Sequence, residues 1–110
     1  MLKADTRAKA SAPVFAALGD PTRLALYSAL SDGAPKSITA LTLQSSVTRQ
    51  AVTKHLAVLE TAGLISSEKN GREKNFTLRH DGLDDAKDLL DKISAEWDGA
   101  LQRLKDFVED

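Results

Sequence analysis

The chain has 110 residues, 42% of them hydrophobic and 5% aromatic, with a formal net charge of -1 and no cysteine. That length suits one domain spanning residues 1–110, with a core of Leu, Val, Ile and Ala. The composition excludes a disulfide scaffold, a cysteine zinc site and a thiol nucleophile. No apolar run approaches the ~18 residues of a membrane span. The first ten residues mix Lys3, Arg7 and Lys9 with Asp5 and hold no apolar stretch, unlike a secretory signal. The expectation is a cytoplasmic protein.

In chain order, residues 1 to about 10 are polar and read as flexible. Ser11 is placed to cap a first helix, with Pro13 in its opening turn and Gly19 at its end. Asp20-Pro21 restarts the chain as cap and first residue of a second helix, with Leu24, Tyr27 and Leu30 on one face. Turn residues Ser31 to Pro35 close it, and Lys36 to Ile38 read as a short strand. Thr39 is placed to cap a third helix, Ala40 to Gln44, whose apolar residues are Leu41 and Leu43. After Ser45-Ser46-Val47, Thr48 caps a fourth helix that ends at Ala62-Gly63. Leu64 to Lys69 and Glu73 to Leu78 read as strands joined at Asn70-Gly71, the sequence of a type I′ hairpin. Gly82 to Val108 is one long amphipathic helix, ~40 Å at ~1.5 Å per residue, capped by Asp81.

The fold class is therefore mainly α with a small β-hairpin, in the order α-α-(β)-α-α-β-β-α. Residues 39–63 form a helix-turn-helix, 64–78 a wing and 82–108 a dimerisation helix, which together describe a winged helix-turn-helix.

Charge is unevenly spread. Between Val47 and His80 six cations outnumber three acids; from Asp81 onward ten acids outnumber four bases. At ~100° per residue, Val52, Leu56 and Leu59 form the buried side of the fourth helix, with Thr48 and His55 at its edges. Gln50, Thr53, Lys54 and Ala57 form the outer side. Gln can pair bidentately with adenine, Lys can reach guanine or phosphate, and Thr offers a hydroxyl and a methyl group. Arg49, on the flank, suits a backbone phosphate. A solvated helix face carries the same residue types, so the wing matters. Its tip, Lys69-Asn70-Gly71-Arg72-Glu73-Lys74, places cations beside that helix, where they can grip the DNA backbone.

His55 reads as structural or phosphate-contacting, His80 as a loop residue at the end of the wing, and Asp84, Asp85, Asp88 and Asp91 as a solvated helix face. No Ser-His-Asp grouping, phosphate loop or catalytic carboxylate pair emerges. No enzyme activity, metal or cofactor is expected. On the last helix Leu83, Ala86, Leu90, Ile93, Trp97, Leu101, Leu104 and Val108 make one apolar stripe, longer than a compact core can cover. The surplus points to a second copy, with Val14 and Leu18 of the first helix joining the same interface.

The stretch Phe15-Ala16-Ala17-Leu18-Gly19-Asp20-Pro21-Thr22-Arg23 resembles the opening signature of ArsR-family winged-helix regulators. Thr48 to Ile65 resembles that family's recognition helix and its exit into the wing, and Gly71-Arg72-Glu73 the start of its returning wing strand. Ala95-Glu96-Trp97-Asp98 with Leu101, Leu104 and Lys105 looks like the last helix of a cysteine-free branch. The resemblance covers Val14 to Val108 and implies a homodimeric repressor on an imperfect palindrome of double-stranded DNA. Thiolate sensors of the family carry a cysteine pair in the third helix; Ile38 to Gln44 holds no ligand here. Lys74 stands on the returning strand where the family usually has an apolar residue. Two alternatives stay open: a dimeric protein-interaction module that binds no DNA, and a repressor gated by a non-metal small-molecule inducer.

Overall fold

The structure is a computed structural model that describes residues 6–109. Its elements are α1 (Thr6–Leu18), α2 (Pro21–Ala29), β1 (Lys36–Ser37), α3 (Ile38–Leu43), α4 (Arg49–Thr61), β2 (Ile65–Asn70), β3 (Glu73–Leu78) and α5 (Asp84–Glu109). This is the expected order. The three strands form one antiparallel sheet, β1-β3-β2, with Lys36 opposite Phe76 and Ile65 opposite Leu78.

The first helix starts earlier than its residues suggested. It is helical from Thr6, within the stretch read as flexible, and the expectation for residues 1–5 lies outside the described residues. Ser11 is no cap; it is buried inside the helix, and Pro13 sits mid-helix. Three alanines among residues 6–12 favour helix. Packing of α1 against α5 compensates for the hydrogen bond that Pro13 cannot donate.

Asp20 caps α2 as expected: its Oδ2 accepts from the Arg23 backbone N–H at 3.0 Å. The buried face is Leu26, Tyr27 and Leu30, whereas Leu24 is 50% exposed. Ser37, not Thr39, caps α3, its Oγ accepting from Ala40 N–H at 3.1 Å. Leu41 is buried, but Leu43 is 82% exposed. A helix of six residues turns only one apolar position fully inward.

Thr48 caps α4, with Oγ1 accepting from Ala51 N–H at 3.1 Å. The other end closes as a Schellman motif. Leu64 N–H reaches Leu59 O and Gly63 N–H reaches Glu60 O, both at 3.0 Å, with Gly63 at φ 79°. Val52, Leu56 and Leu59 turn inward and meet Leu30, Leu41, Leu64, Ile65 and Phe76 in the core.

The wing turns one residue later than expected. Asn70 pairs with Glu73, so Gly71-Arg72 is the loop. Only Gly71 has positive φ, at 68°, as a type II′ turn requires of its first central residue. Asn70 is therefore a strand residue, which corrects the type I′ reading. Gly82 admits the chain to α5: a Cβ there would lie 2.6 Å from Gly63 O. Asp81 does not cap α5 with its carboxylate, which holds Arg79 at 3.0 and 3.2 Å. Beside that guanidinium its pKa is lowered. Helix α5 then runs for 26 residues, of which only Ala86 is buried.

Candidate nucleic-acid interface

The tight turn between α3 and α4 and the Thr48 cap expose the outer face of α4. Gln50, Thr53 and Lys54 all lie on it, open to solvent, and Ala57 continues the row. The Thr53 hydroxyl donates back to Arg49 O at 2.9 Å. Its hydrogen is therefore committed, and only its oxygen lone pairs and methyl remain for a base edge. Glu60, the acid of this helix, accepts from Ser67 Oγ of β2 at 2.6 Å. That bond ties its charge to the base of the wing.

Arg49 ties α4 to α3 on the side that faces the wing. Its Nη1 donates to Thr39 Oγ1 at 3.0 Å, so Thr39 orients an arginine rather than capping a helix. The two residues line a cleft of about 170 Å³ that also touches Ser37, Arg72, Glu73 and Lys74. Three cations from α4 and the wing thus border one small polar recess, with one carboxylate among them. Lys69 and Lys74 face each other across the ribbon. Lys74 Nζ lies 5.6 Å from the centre of the Phe76 ring, a cation–π contact over the buried end of its own strand. Asn70, Gly71 and Arg72 are exposed at the tip.

The structure thus brings Arg49, Gln50, Thr53 and Lys54 into one exposed turn of α4 and sets Arg72 and Lys74 beside them. Thr48 stands at the helix N-terminus as its cap. His55 is not with them. Its ring is half-buried toward the start of α2, with Nδ1 at 3.4 Å from Arg23 Nη1 and 4.0 Å from Asp20 Oδ2. The backbone N–H of Arg23 is the main cause that holds the Asp20 carboxyl below its ordinary pKa. Arg23 and Thr39 were missed as organising residues. The signal for Arg23 was its place after the Asp20-Pro21 cap; nothing in the spacing pointed to Thr39.

The residues read as a subunit interface divide into two sets. Val14 lies in the chain's own core at 7% exposure, and Leu18 and Leu83 pack against that core. Leu90, Ile93, Trp97, Leu101, Leu104 and Val108 are all exposed, Trp97 to 65%. Ile93, Glu96, Trp97 and Ala100 surround a notch of about 260 Å³ on the flank of α5.

A helix-turn-helix domain family matches residues 18–68, the span from the end of α1 into β2. The chain is 37% identical over 76 residues to the uncharacterized HTH-type transcriptional regulator YuzN of Bacillus subtilis, covering 64% of this chain and 83% of that one. It is 35% identical over 93 residues to the HTH-type transcriptional regulator Rv2034 of Mycobacterium tuberculosis, covering 84% of this chain and 83% of that one. Among solved structures, an ArsR-like transcriptional regulator from Rhodococcus sp. RHA1 superposes with a TM-score of 0.77 at 38% identity, covering 92% of both chains. With the winged helix-turn-helix architecture already in view, these likenesses establish that the chain belongs to the ArsR-like family of helix-turn-helix transcriptional regulators.

Proposed function

We propose that the protein is a homodimeric repressor of an imperfect palindromic operator, reading bases with α4 and holding the flanking backbone with the wing. The observation that carries this reading is the cleft where Arg49, Arg72 and Lys74 meet beside the exposed Gln50–Lys54 turn. Gln50 and Lys54, one helical turn apart, suit neighbouring base edges in the major groove. Arg49, Lys69, Arg72 and Lys74 suit phosphates, which set affinity and register without reading sequence. The site is one of binding, with no catalytic step.

The second copy is called for by α5. Its exposed apolar row from Leu90 to Val108 has no cover among the described residues. The Ile93–Glu96–Trp97–Ala100 notch has the i, i+3, i+4, i+7 spacing of a hole that receives a side chain from a facing helix. Two copies would place two reading helices on half-sites about 10 bp apart or a multiple of it, and bound repressor would exclude polymerase. An inducer would find a place in the open apolar groove between α1 and α4, about 490 Å³, walled by Pro13, Ala16, Ala57 and Val58. A bound small apolar molecule would touch the reading helix there. The test is selection of duplexes from a random pool, followed by gel shift at several salt concentrations. The expected result is a palindromic consensus and an affinity that falls linearly in log–log form with salt. Selection of no duplex, with a partner protein bound through the same face, would support an interaction module instead.

A further inference from the structure

Arg23 joins three helices through one side chain. Its Nε donates to Ala17 O at 2.6 Å and its Nη2 to Ala16 O at 3.3 Å. Both carbonyls belong to the last turn of α1, where the helix supplies no i+4 donor, although Ala16 O also accepts from Gly19 N–H at 3.3 Å. Its backbone N–H is held by Asp20 at the start of α2. Its Nη1 points to His55 Nδ1 on α4 at 3.4 Å. A guanidinium can only donate, so a bond between the two requires Nδ1 as the acceptor, with the ring proton on Nε2. The fork is planar and rigid. When its donors are tied to α1 and α4 together, the two helices hold one relative angle.

We infer that Arg23, acting through His55, is a positioning residue for operator reading: it fixes the angle of the reading helix against α1 and thereby sets the spacing of the two half-sites. The inference rests on the proposed dimer. In that dimer α1 packs on α5, and α5 meets the partner. The path from one reading helix to the other then runs from α4 through His55, Arg23 and α1 to α5 and across the dyad. Inserting one base pair at the centre of the operator moves a half-site by ~3.4 Å along the axis. A rigid path rejects that displacement, whereas a loosened one absorbs it.

The experiment uses the full chain and a duplex that the wild type itself selects from a random pool. Affinities are compared for that duplex and for versions with one base pair added or removed at its centre. The wild type should lose about tenfold or more on altered spacing, which is about 1.4 kcal/mol. Arg23→Lys keeps the charge but not the fork, and His55→Phe removes the acceptor without touching the carbonyls of α1. Both should bring the loss within about threefold while keeping affinity for random duplex, on the scale of that conversion. His55→Gln, whose amide oxygen can accept from the guanidinium, should restore discrimination. A merely structural role would lower the melting temperature and weaken all duplexes in proportion, leaving the ratio between spacings unchanged. That outcome, or wild-type discrimination in both variants, overturns the inference alone. Selection of no duplex by the wild type overturns the reading as a DNA-binding dimer and this inference with it. Should Arg23→Lys fold poorly, His55→Phe decides the matter by itself.

Discussion

Lys69 and Lys74 stand directly opposite one another across the wing, two exposed ammonium groups on one face of a two-stranded ribbon. Like charges in that position destabilise an antiparallel pair, by about 0.2–1 kcal/mol for directly opposed residues. Lys74 offsets part of this by lying over the Phe76 ring. A hairpin selected for stability alone would carry a carboxylate at one of the two sites. The repulsion makes sense where an anion lies between them.

Lys74→Glu should therefore raise the melting temperature slightly, consistent with a cross-strand gain below about 1 kcal/mol. It should also weaken binding to every duplex, specific or random, because a phosphate-facing cation has become an anion. Thermal melts and titrations of a random duplex measure the two effects. A variant that binds random DNA as well as the wild type would remove Lys74 from the interface.

The reading and holding roles separate in mutants. Gln50→Ala and Lys54→Ala should each weaken the selected operator by ~1–3 kcal/mol and relax sequence choice at one position. Arg72→Ala should weaken all duplexes alike and reduce the salt slope by about one. Arg49→Ala should behave like Arg72→Ala, because it frees Thr39 and takes a cation from the same cleft. A base-specific loss from Arg72→Ala would exchange the roles of helix and wing.

Much of this was legible in the residues because local rules and tertiary demands agreed. Asp20-Pro21 and Thr48 act as the caps they resemble, and the Val52–Leu56–Leu59 stripe faces inward. The failures came where a distant partner decided the outcome. Pro13 signalled a helix start, yet α5 packs along α1 and carries the helix back to Thr6. Ser37 and Thr39 are equally good caps on paper. Pairing of Ser37 with Asn75 in the sheet put the helix start at Ile38. Leu24 and Leu26 are equally apolar, and only the contacts of α2 chose Leu26. His55 lay at the edge of the wheel, and a residue 32 positions away settled where it turns.

Ser11 offers a stability test. It is fully buried in α1, and its Oγ has no hydrogen-bond partner among the described residues. A hydroxyl removed from water without compensation costs about 1–3 kcal/mol, and alanine is the better helix former. Ser11→Ala should stabilise the protein by about 1 kcal/mol, read as a higher denaturant midpoint at unchanged slope. Destabilisation would mean that the hydroxyl is satisfied across the α1–α5 contact.

Acid stability should depend on Asp20. Its carboxyl is held below the ordinary value, first by the Arg23 backbone N–H. A depressed folded-state pKa adds stability above the unfolded value, about pH 4, and that stability is lost as pH falls through the folded value. Asp20→Asn keeps an equally good cap but cannot ionise. The melting temperature of the variant should fall less steeply than that of the wild type below about pH 4. Parallel curves would show that Asp20 does not contribute to the acid limb.

The subunit interface can be read through the single tryptophan. Trp97 is 65% exposed in the isolated chain and sits mid-row between Ile93 and Leu101 on α5. If two α5 helices pack together, Trp97 is shielded in the dimer and emits at shorter wavelength than in a monomer. Leu101→Glu would bring two carboxylates into that seam, since a two-fold interface presents each residue twice. Burying them costs on the order of several kcal/mol per ion, with like-charge repulsion in addition. The variant should sediment as a monomer, its Trp97 emission should shift to longer wavelength, and it should lose the operator, because one subunit reaches only one half-site. Two results would count against this account. A monomer with full operator affinity would mean that one reading head suffices. A variant that remains dimeric with unchanged fluorescence would move the interface to the exposed face of α1, where Phe15 is the largest apolar side chain open to solvent.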